Sequence, residues 1–398
     1  MARGVRFLHI ADVHIGFRVT RFDEPVASKL REARFQALDN AIRVAEDRQA
    51  DFILIAGDLF DDNGVSLTDA QRAFSMLAGR SMPVYILPGN HDPYCAGSVW
   101  QRRPWAQTEG TSIHLLSVPE PVVLDNGVAL LPCPVTRKRS AYDPTVWIGT
   151  AKTPSGCILV GLAHGSVMDR QPLPEDDHPI PPDAPLARGL DYLALGHWHE
   201  HKPFRTDGAI RMAYPGTSEQ MGFVSGGLDV GWRAYSPDPM GGEFIGGSKG
   251  SALLVALGEP GAPPVVEQVD IGHYAWLEES ANVTDESFGD FFSAMARRED
   301  KERHLLRLTL SGILSVENMV AIEGFRNMLS RYLYCELNTD DLHIRPDAGA
   351  IADVVGGGLL GDVWKRLESL AEAAPPERRR VTEAAMLVLY QLAKGVQA

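Results

Sequence analysis

The sequence predicts a layered α/β protein followed by a smaller α/β unit and a helical end, and three observations predict it. Short β-branched or leucine-rich runs alternate with segments whose apolar residues fall on one helical face. The composition, 44% apolar and 23% charged over 398 residues, is that of a chain able to bury a large core. The character of the chain changes near residue 279.

The runs VRFLHI (5–10), DFILIAG (51–57), PVYILPG (83–89), CILVGLA (157–163) and DYLALG (191–196) have the look of buried strands. Between the first two, Leu30, Leu38, Ile42 and Ala45 mark one face of an amphipathic helix, with charges opposite. Two stretches interrupt the alternation. Residues 165–190 are rich in proline and acid, and the glycine-rich stretch 222–250 reads as a flexible loop or insertion. Strands resume at SALLVAL (251–257) and VVEQVDI (265–271). Beyond 279, HLLRLTL and YCELNTDDLHI have strand character, while ENMVAIEGFRNMLSRYL spaces its apolar residues as a helix does. After VVGGG, two helical patterns at 359–373 and 377–394 flank Pro375-Pro376 and predict a hairpin, with Leu360, Val363, Trp364 and Leu367 on one stripe. The expected units are 1–278, 279–345 and 346–398.

Met1 leads directly into a strand-like run, without the basic, apolar and small-residue order of a signal peptide, and no apolar stretch reaches spanning length. A cytoplasmic location is expected, and a membrane role is not. Cys95, Cys133, Cys157 and Cys335 have no C-x-x-C spacing, which argues against a thiolate zinc site or a disulfide framework. The net charge of −14 argues against a protein that coats nucleic acid through a global basic field. Local basic stretches remain: Arg18, Arg21, Arg31 and Arg34, QRRPW (101–105) and TRKRS (136–140), taken singly as surface arginines and together as leaving phosphate binding open.

The residues just past each strand carry the chemistry. The five runs end in Asp12-Val13-His14, Gly57-Asp58, Gly89-Asn90-His91-Asp92, His164 and Gly196-His197-Trp198-His199. In open α/β sheets the C-terminal strand edge is where sites assemble, and residues two apart on extended chain point the same way. Asp12 with His14, and His197 with His199, are therefore expected to converge. A lone histidine after a strand is more often a hydrogen-bonded loop residue than a ligand, yet the set together predicts a metal site. His9, His114, His178, His273, His304 and His343 lack such partners and are expected to be structural.

In this order, D-x-H, G-D, G-N-H-D, a lone His and G-H-x-H resemble the motifs of the calcineurin-like metallophosphoesterase superfamily, over roughly residues 5–220. LHIADVHIG, ILIAGDLFDDN, ILPGNHDPY and YPGTSEQMGF are most similar to the SbcD-type DNA repair nucleases within it. The resemblance implies a β-sheet core flanked by helices (1–278), a small capping domain that helps contact DNA (279–345), and a helical region that binds an SbcC-type ATPase (346–398). It implies one metal on Asp12, His14, Asp58 and His199, and a second on Asp58, Asn90, His164 and His197, with Asp58 bridging. Oxygen and imidazole donors suit manganese, iron or zinc, and the family favours manganese. His91 resembles the family's catalytic histidine. Asp92 either orients it or caps the next turn. Some members have histidine three residues after the bridging aspartate; Asp61 stands there in this chain, as in bacterial SbcD-type members.

The implied function is a metal-dependent phosphodiesterase acting as an exonuclease or endonuclease on DNA. A small-molecule phosphodiesterase or phosphatase would use the same ligands. A metal-free scaffold is disfavoured because no ligand is missing. No G-x-x-x-x-G-K-[ST] stretch occurs, so ATP would be handled by a partner. A homodimer is compatible with all of this.

Overall fold

A computed structural model of the chain describes residues 4–80, 82–169, 176–223, 243–345 and 358–373, with isolated positions from 375 to 393. The chain divides into two compact units, Met1–Arg233 with Gly247–Trp276, and Ala234–Gly246 with Leu277–Ala398.

The first unit holds two six-stranded sheets. Its strands are β1 (Val5–Ile10), β2 (Phe52–Ala56), β3 (Val84–Leu87), β4 (Ile113–Leu115), β5 (Val122–Val123), β6 (Val128–Cys133), β7 (Ile158–His164), β8 (Tyr192–Gly196), β9 (Lys202–Thr206) and β10 (Ala209–Tyr214). After β11 (Glu243–Ser248), the chain returns to it with β12 (Ser251–Leu257) and β13 (Val265–Asp270). One sheet has the order β13-β12-β1-β2-β3-β4 and the other β5-β6-β7-β8-β10-β9. The strands β1 to β4 are parallel, as are β6 to β8, whereas β12 returns antiparallel beside β1.

Side-chain alternation along β1 explains why the sequence shows unbroken apolar runs. Phe7 joins Phe52, Leu54, Val160, Leu162 and Tyr192 in the layer between the sheets. Leu8 and Ile10 point the other way, against Leu38, Ile42 and Ala45 of helix α1 (Glu24–Asp47) and Phe74 of helix α2 (Leu67–Ala78). The far face of the second sheet is covered in turn, with Leu193, Leu195 and Met212 against Ile148 and Ala184. The strands β1, β2, β3, β6, β7 and β8 are buried on both faces, so period-2 polarity is absent from them. Two helical turns, α3 (Arg103–Ala106) and α4 (Ala184–Ala187), complete this unit's helices.

The second unit contains β14 (Ala275–Thr284), β15 (His304–Leu314) and β16 (Tyr334–Ile344) in a sheet ordered β11-β14-β15-β16. Helices α5 (Phe288–Arg297) and α6 (Val316–Leu329) close its core through Phe288, Phe291, Ile322 and Phe325 against Leu306, Leu308 and Leu310. Helix α7 (Leu359–Ala373) covers the first helical pattern beyond VVGGG, while the second, at 377–394, falls largely outside the described residues.

Three expectations are corrected. The glycine-rich stretch 222–250 is not a loop throughout: residues 224–242 lie outside the described residues, and 243–248 form β11, whose backbone pairs with β14. Arg34 is not a surface arginine; it is buried, and its guanidinium donates to the Val13 carbonyl at 2.9 Å. The strand-end ligands come from two sheets rather than from the edge of one. Among the described residues, no helix is long and apolar enough to cross a membrane.

Candidate metal centre

The C-terminal ends of β1, β2 and β3 in one sheet, and of β7 and β8 in the other, bring all seven expected ligands together. His164 Nε2 lies 2.7 Å from Asn90 Oδ1 and 3.1 Å from Asp58 Oδ2. His197 Nδ1 lies 3.1 Å from the same Asn90 oxygen. His14 Nε2 is 3.1 Å from His199 Nε2 and 3.9 Å from both Asp12 Oδ1 and Asp58 Oδ2. Three overlapping groups could each hold an ion: Asp12, His14 and His199; His14, Asp58 and His91; Asp12, Asp58 and His164.

The backbone does this by an unexpected route. Asp12, His14 and Asp58 have φ of 52, 51 and 53°, and His197 has φ of 113°. Convergence comes from left-handed backbone, which costs non-glycine residues energy and marks functional sites, rather than from extended alternation. The glycines before the ligands serve close approach. A Cβ on Gly57 would sit 2.1 Å from His164 Nδ1, and one on Gly89 would sit 2.1 Å from Asp58 Oδ1.

Donor chemistry tests whether cations fit. His164 Nδ1–H donates to the Ala56 carbonyl at 2.9 Å, which leaves Nε2 as an acceptor facing two oxygen acceptors. Facing acceptors repel unless a proton or a cation lies between them. Burial pushes the Asp12 carboxyl up to about 8, with the nearby Asp58 adding to the effect. Burial also disfavours charge on Asp58, but His164 and His14 outweigh it and hold that carboxyl below its usual range. His164 is opposed by burial and carried up to about 9 by Asp58 and Asp12. Buried carboxylates compete here for too few positive charges, and oxygen and imidazole donors without thiolate suit divalent cations.

Outside the ligands, His14 Nδ1 lies 3.3 Å from Asp61 Oδ1. The Asp61 carbonyl accepts from His91 Nδ1–H at 2.8 Å, and the half-buried His91 ring stands edge-on to His14 with centroids 4.8 Å apart. The Asp92 carboxylate holds backbone that precedes it rather than the turn that follows. The carboxylate accepts from Gly89 N–H at 2.7 Å and Phe60 N–H at 3.0 Å, and burial pushes it up to about 7. His201 turns away to the Tyr214 carbonyl. His9 is a buried structural histidine between Tyr192 and the Leu195 carbonyl. Sequence reasoning missed Asp177, whose Oδ2 lies 2.9 Å from His197 Nε2. Its only trace is the acid in the proline-rich stretch.

A two-sheet sandwich thus gathers aspartate, asparagine and histidine side chains at its strand ends into a cluster that could hold metal ions. Residues 5–201, just under half of the chain, match the family model of the calcineurin-like phosphoesterases, so this part of the chain is a calcineurin-like metallophosphoesterase domain. It is 28% identical over 244 residues to the uncharacterised metallophosphoesterase YhaO of Bacillus subtilis, covering 55% of this chain and 54% of that one. It is 29% identical over 286 residues to the DNA double-strand break repair protein Mre11 of Aeropyrum pernix, covering 67% and 61%. With the SbcD subunit of the SbcCD nuclease of Rhodobacter capsulatus it shares 25% over 280 residues, covering 57% and 65%. The chain thus spans between half and two thirds of these relatives' lengths.

Proposed function

We propose that the chain is a two-metal phosphodiesterase that works as a DNA repair nuclease on DNA ends. What carries this is His164 Nε2 facing both Asn90 Oδ1 and Asp58 Oδ2, with Asp58, like Asp12 and His14, in two of the three ion-holding groups. Asp12, His14, Asp58 and His199 would hold one metal, and Asp58, Asn90, His164 and His197 the other, with manganese preferred over iron or zinc. Metals bound there supply a water nucleophile at neutral pH and offset charge on the phosphate. The chain's own groups do the rest. With Nδ1–H donated to the Asp61 carbonyl, His91 keeps Nε2 for the phosphate and the leaving oxygen, and in its doubly protonated form it would give the Nε2 proton to that oxygen as a general acid and return to the neutral ring. Asp92 fixes the turn on which Asn90 and His91 stand.

DNA as substrate draws support from the similarity to DNA repair proteins. Exposed Arg137, Lys138 and Arg139 add phosphate-binding charge one residue from Ser140, which bridges to Asp177 beside the centre. On this reading residues 1–278 are the catalytic domain, 279–345 add DNA contact, and 346–398 bind an SbcC-like ATPase, in the cytoplasm. The deciding experiment incubates the purified chain with manganese and linear duplex DNA, with and without an SbcC-like subunit, beside bis-p-nitrophenyl phosphate. Shortened DNA ends support the nuclease. Hydrolysis of the model ester with intact DNA would assign the chain to small-molecule phosphodiesterases or phosphatases instead.

A further inference from the structure

We propose that Asp177 is a positioning residue that decides which nitrogen of His197 is offered to the metal centre, and that the acidic, proline-rich stretch exists to deliver it. The inference rests on the two-metal reading of the site. The two ring nitrogens of His197 face different acceptors: Nε2 lies 2.9 Å from Asp177 Oδ2, and Nδ1 lies 3.1 Å from Asn90 Oδ1. A carboxylate only accepts, so Nε2 carries the proton and Nδ1 keeps its lone pair for a metal. His164 is set the opposite way, with Nδ1–H on the Ala56 carbonyl and Nε2 inward. Two histidines facing one asparagine oxygen therefore use different nitrogens, each fixed by a different outer acceptor.

Asp177 is itself held from three directions. The buried Ser166 hydroxyl donates to the same Oδ2, and the Trp198 indole N–H donates to Ser166 Oγ at 3.0 Å. Its carbonyl accepts from Ser166 N–H at 3.1 Å, and its backbone bridges to Ser140. All donors run one way, from Trp198 through Ser166 to the carboxylate that also receives His197. Partners of this outer kind orient a ligand and raise its basicity.

The test is manganese titration of the full chain by calorimetry, with electron paramagnetic resonance to distinguish lone from paired ions, on Asp177→Ala, Asp177→Asn, Asp177→Glu and Ser166→Ala. Wild type should take up two ions. Asp177→Ala should weaken one of them by ~10–100-fold and lose the paired-ion signal, leaving the other near its wild-type affinity. Asp177→Glu should recover part of the loss, and Ser166→Ala, which leaves the carboxylate in place, should show a smaller one. A purely structural role would lower the metal-free melting temperature and weaken both ions alike, and that pattern overturns the proposal. Wild-type manganese affinity in Asp177→Ala, with two ions bound, overturns it alone. A wild-type chain that binds no manganese overturns the two-metal reading as well. If Asp177→Ala does not fold, Asp177→Asn and Ser166→Ala decide, and unchanged affinity in both counts against it.

Discussion

Replacing Gly89 with alanine should strip the centre of metal while leaving the protein folded. The added Cβ would sit 2.1 Å from Asp58 Oδ1 and 2.4 Å from Asp58 N. Heavy atoms settle at ~3.5–4 Å, so something must move by more than ~1 Å. Asp58 has little room to yield, because it is buried, its φ is already 53°, and its Oδ1 accepts from His91 N–H at 2.8 Å. A misplacement of ~1 Å costs on the order of 10²-fold in rate. Overpacking costs ~1–3 kcal/mol, or about 2–4 °C of melting temperature per kcal/mol in a unit of this size. The assay is manganese calorimetry with thermal melting, followed by cleavage of linear DNA at saturating manganese. Weakened binding of both ions, a melting loss of a few degrees and a cleavage loss near 10²-fold are expected. Two ions bound at wild-type affinity with normal cleavage would refute the claim that this glycine exists to admit Asp58.

Asp58→Asn should cost both metals and all turnover, and elemental analysis that still finds two tightly bound ions would remove Asp58 as the bridge. His91→Ala should keep metal content and DNA binding while cleavage falls ~10²–10⁴-fold even at high manganese. His91 also belongs to one of the ion-holding groups, so recovery of near-normal cleavage as manganese is raised would mark it instead as a ligand or outer support. Deleting 359–398 should leave a folded, metal-binding chain that no longer co-purifies with an SbcC-like subunit; unfolding on truncation would show that this stretch completes the second unit's own core.

The strands that deliver ligands were legible, because each is an apolar run covered on both faces and ends in a glycine or a polar ligand. The second sheet was only partly so. VALLPC (128–133) forms β6 and AIRMAY (209–214) forms β10, yet neither has the alternation that separates a strand from other buried chain. SALLVAL announces a strand, but nothing local says that it pairs with VRFLHI some 250 residues earlier, as Leu253 does with His9. Partner choice across that distance is decided by packing. The side chains that meet at the candidate centre were legible as types and spacings. Their outer partners were not, since Asp61 and Asp177 are ordinary acids until the fold sets them beside His14 and His197.

The left-handed residues show why the centre needs two sheets and not one. Each such residue costs ~1–3 kcal/mol and persists only where its surroundings over-determine it. Here the restraint comes from neighbouring ligand segments. Asp12 N–H donates to the Gly57 carbonyl at 3.2 Å, and His14 N–H to the Asp58 carbonyl at 3.0 Å, so the strained turns after β1 and β2 hold each other. His197 N–H then donates to both Asp12 carboxylate oxygens, at 3.1 and 3.0 Å, tying the end of β8 in the second sheet to the turn after β1 in the first. The bond that fixes His197 also removes lone-pair capacity from Asp12 and fixes which way its carboxylate faces. Strain, ligand direction and the joining of the sheets are thus set by the same few hydrogen bonds, and a substitution that frees one turn should loosen ligands on both sheets together.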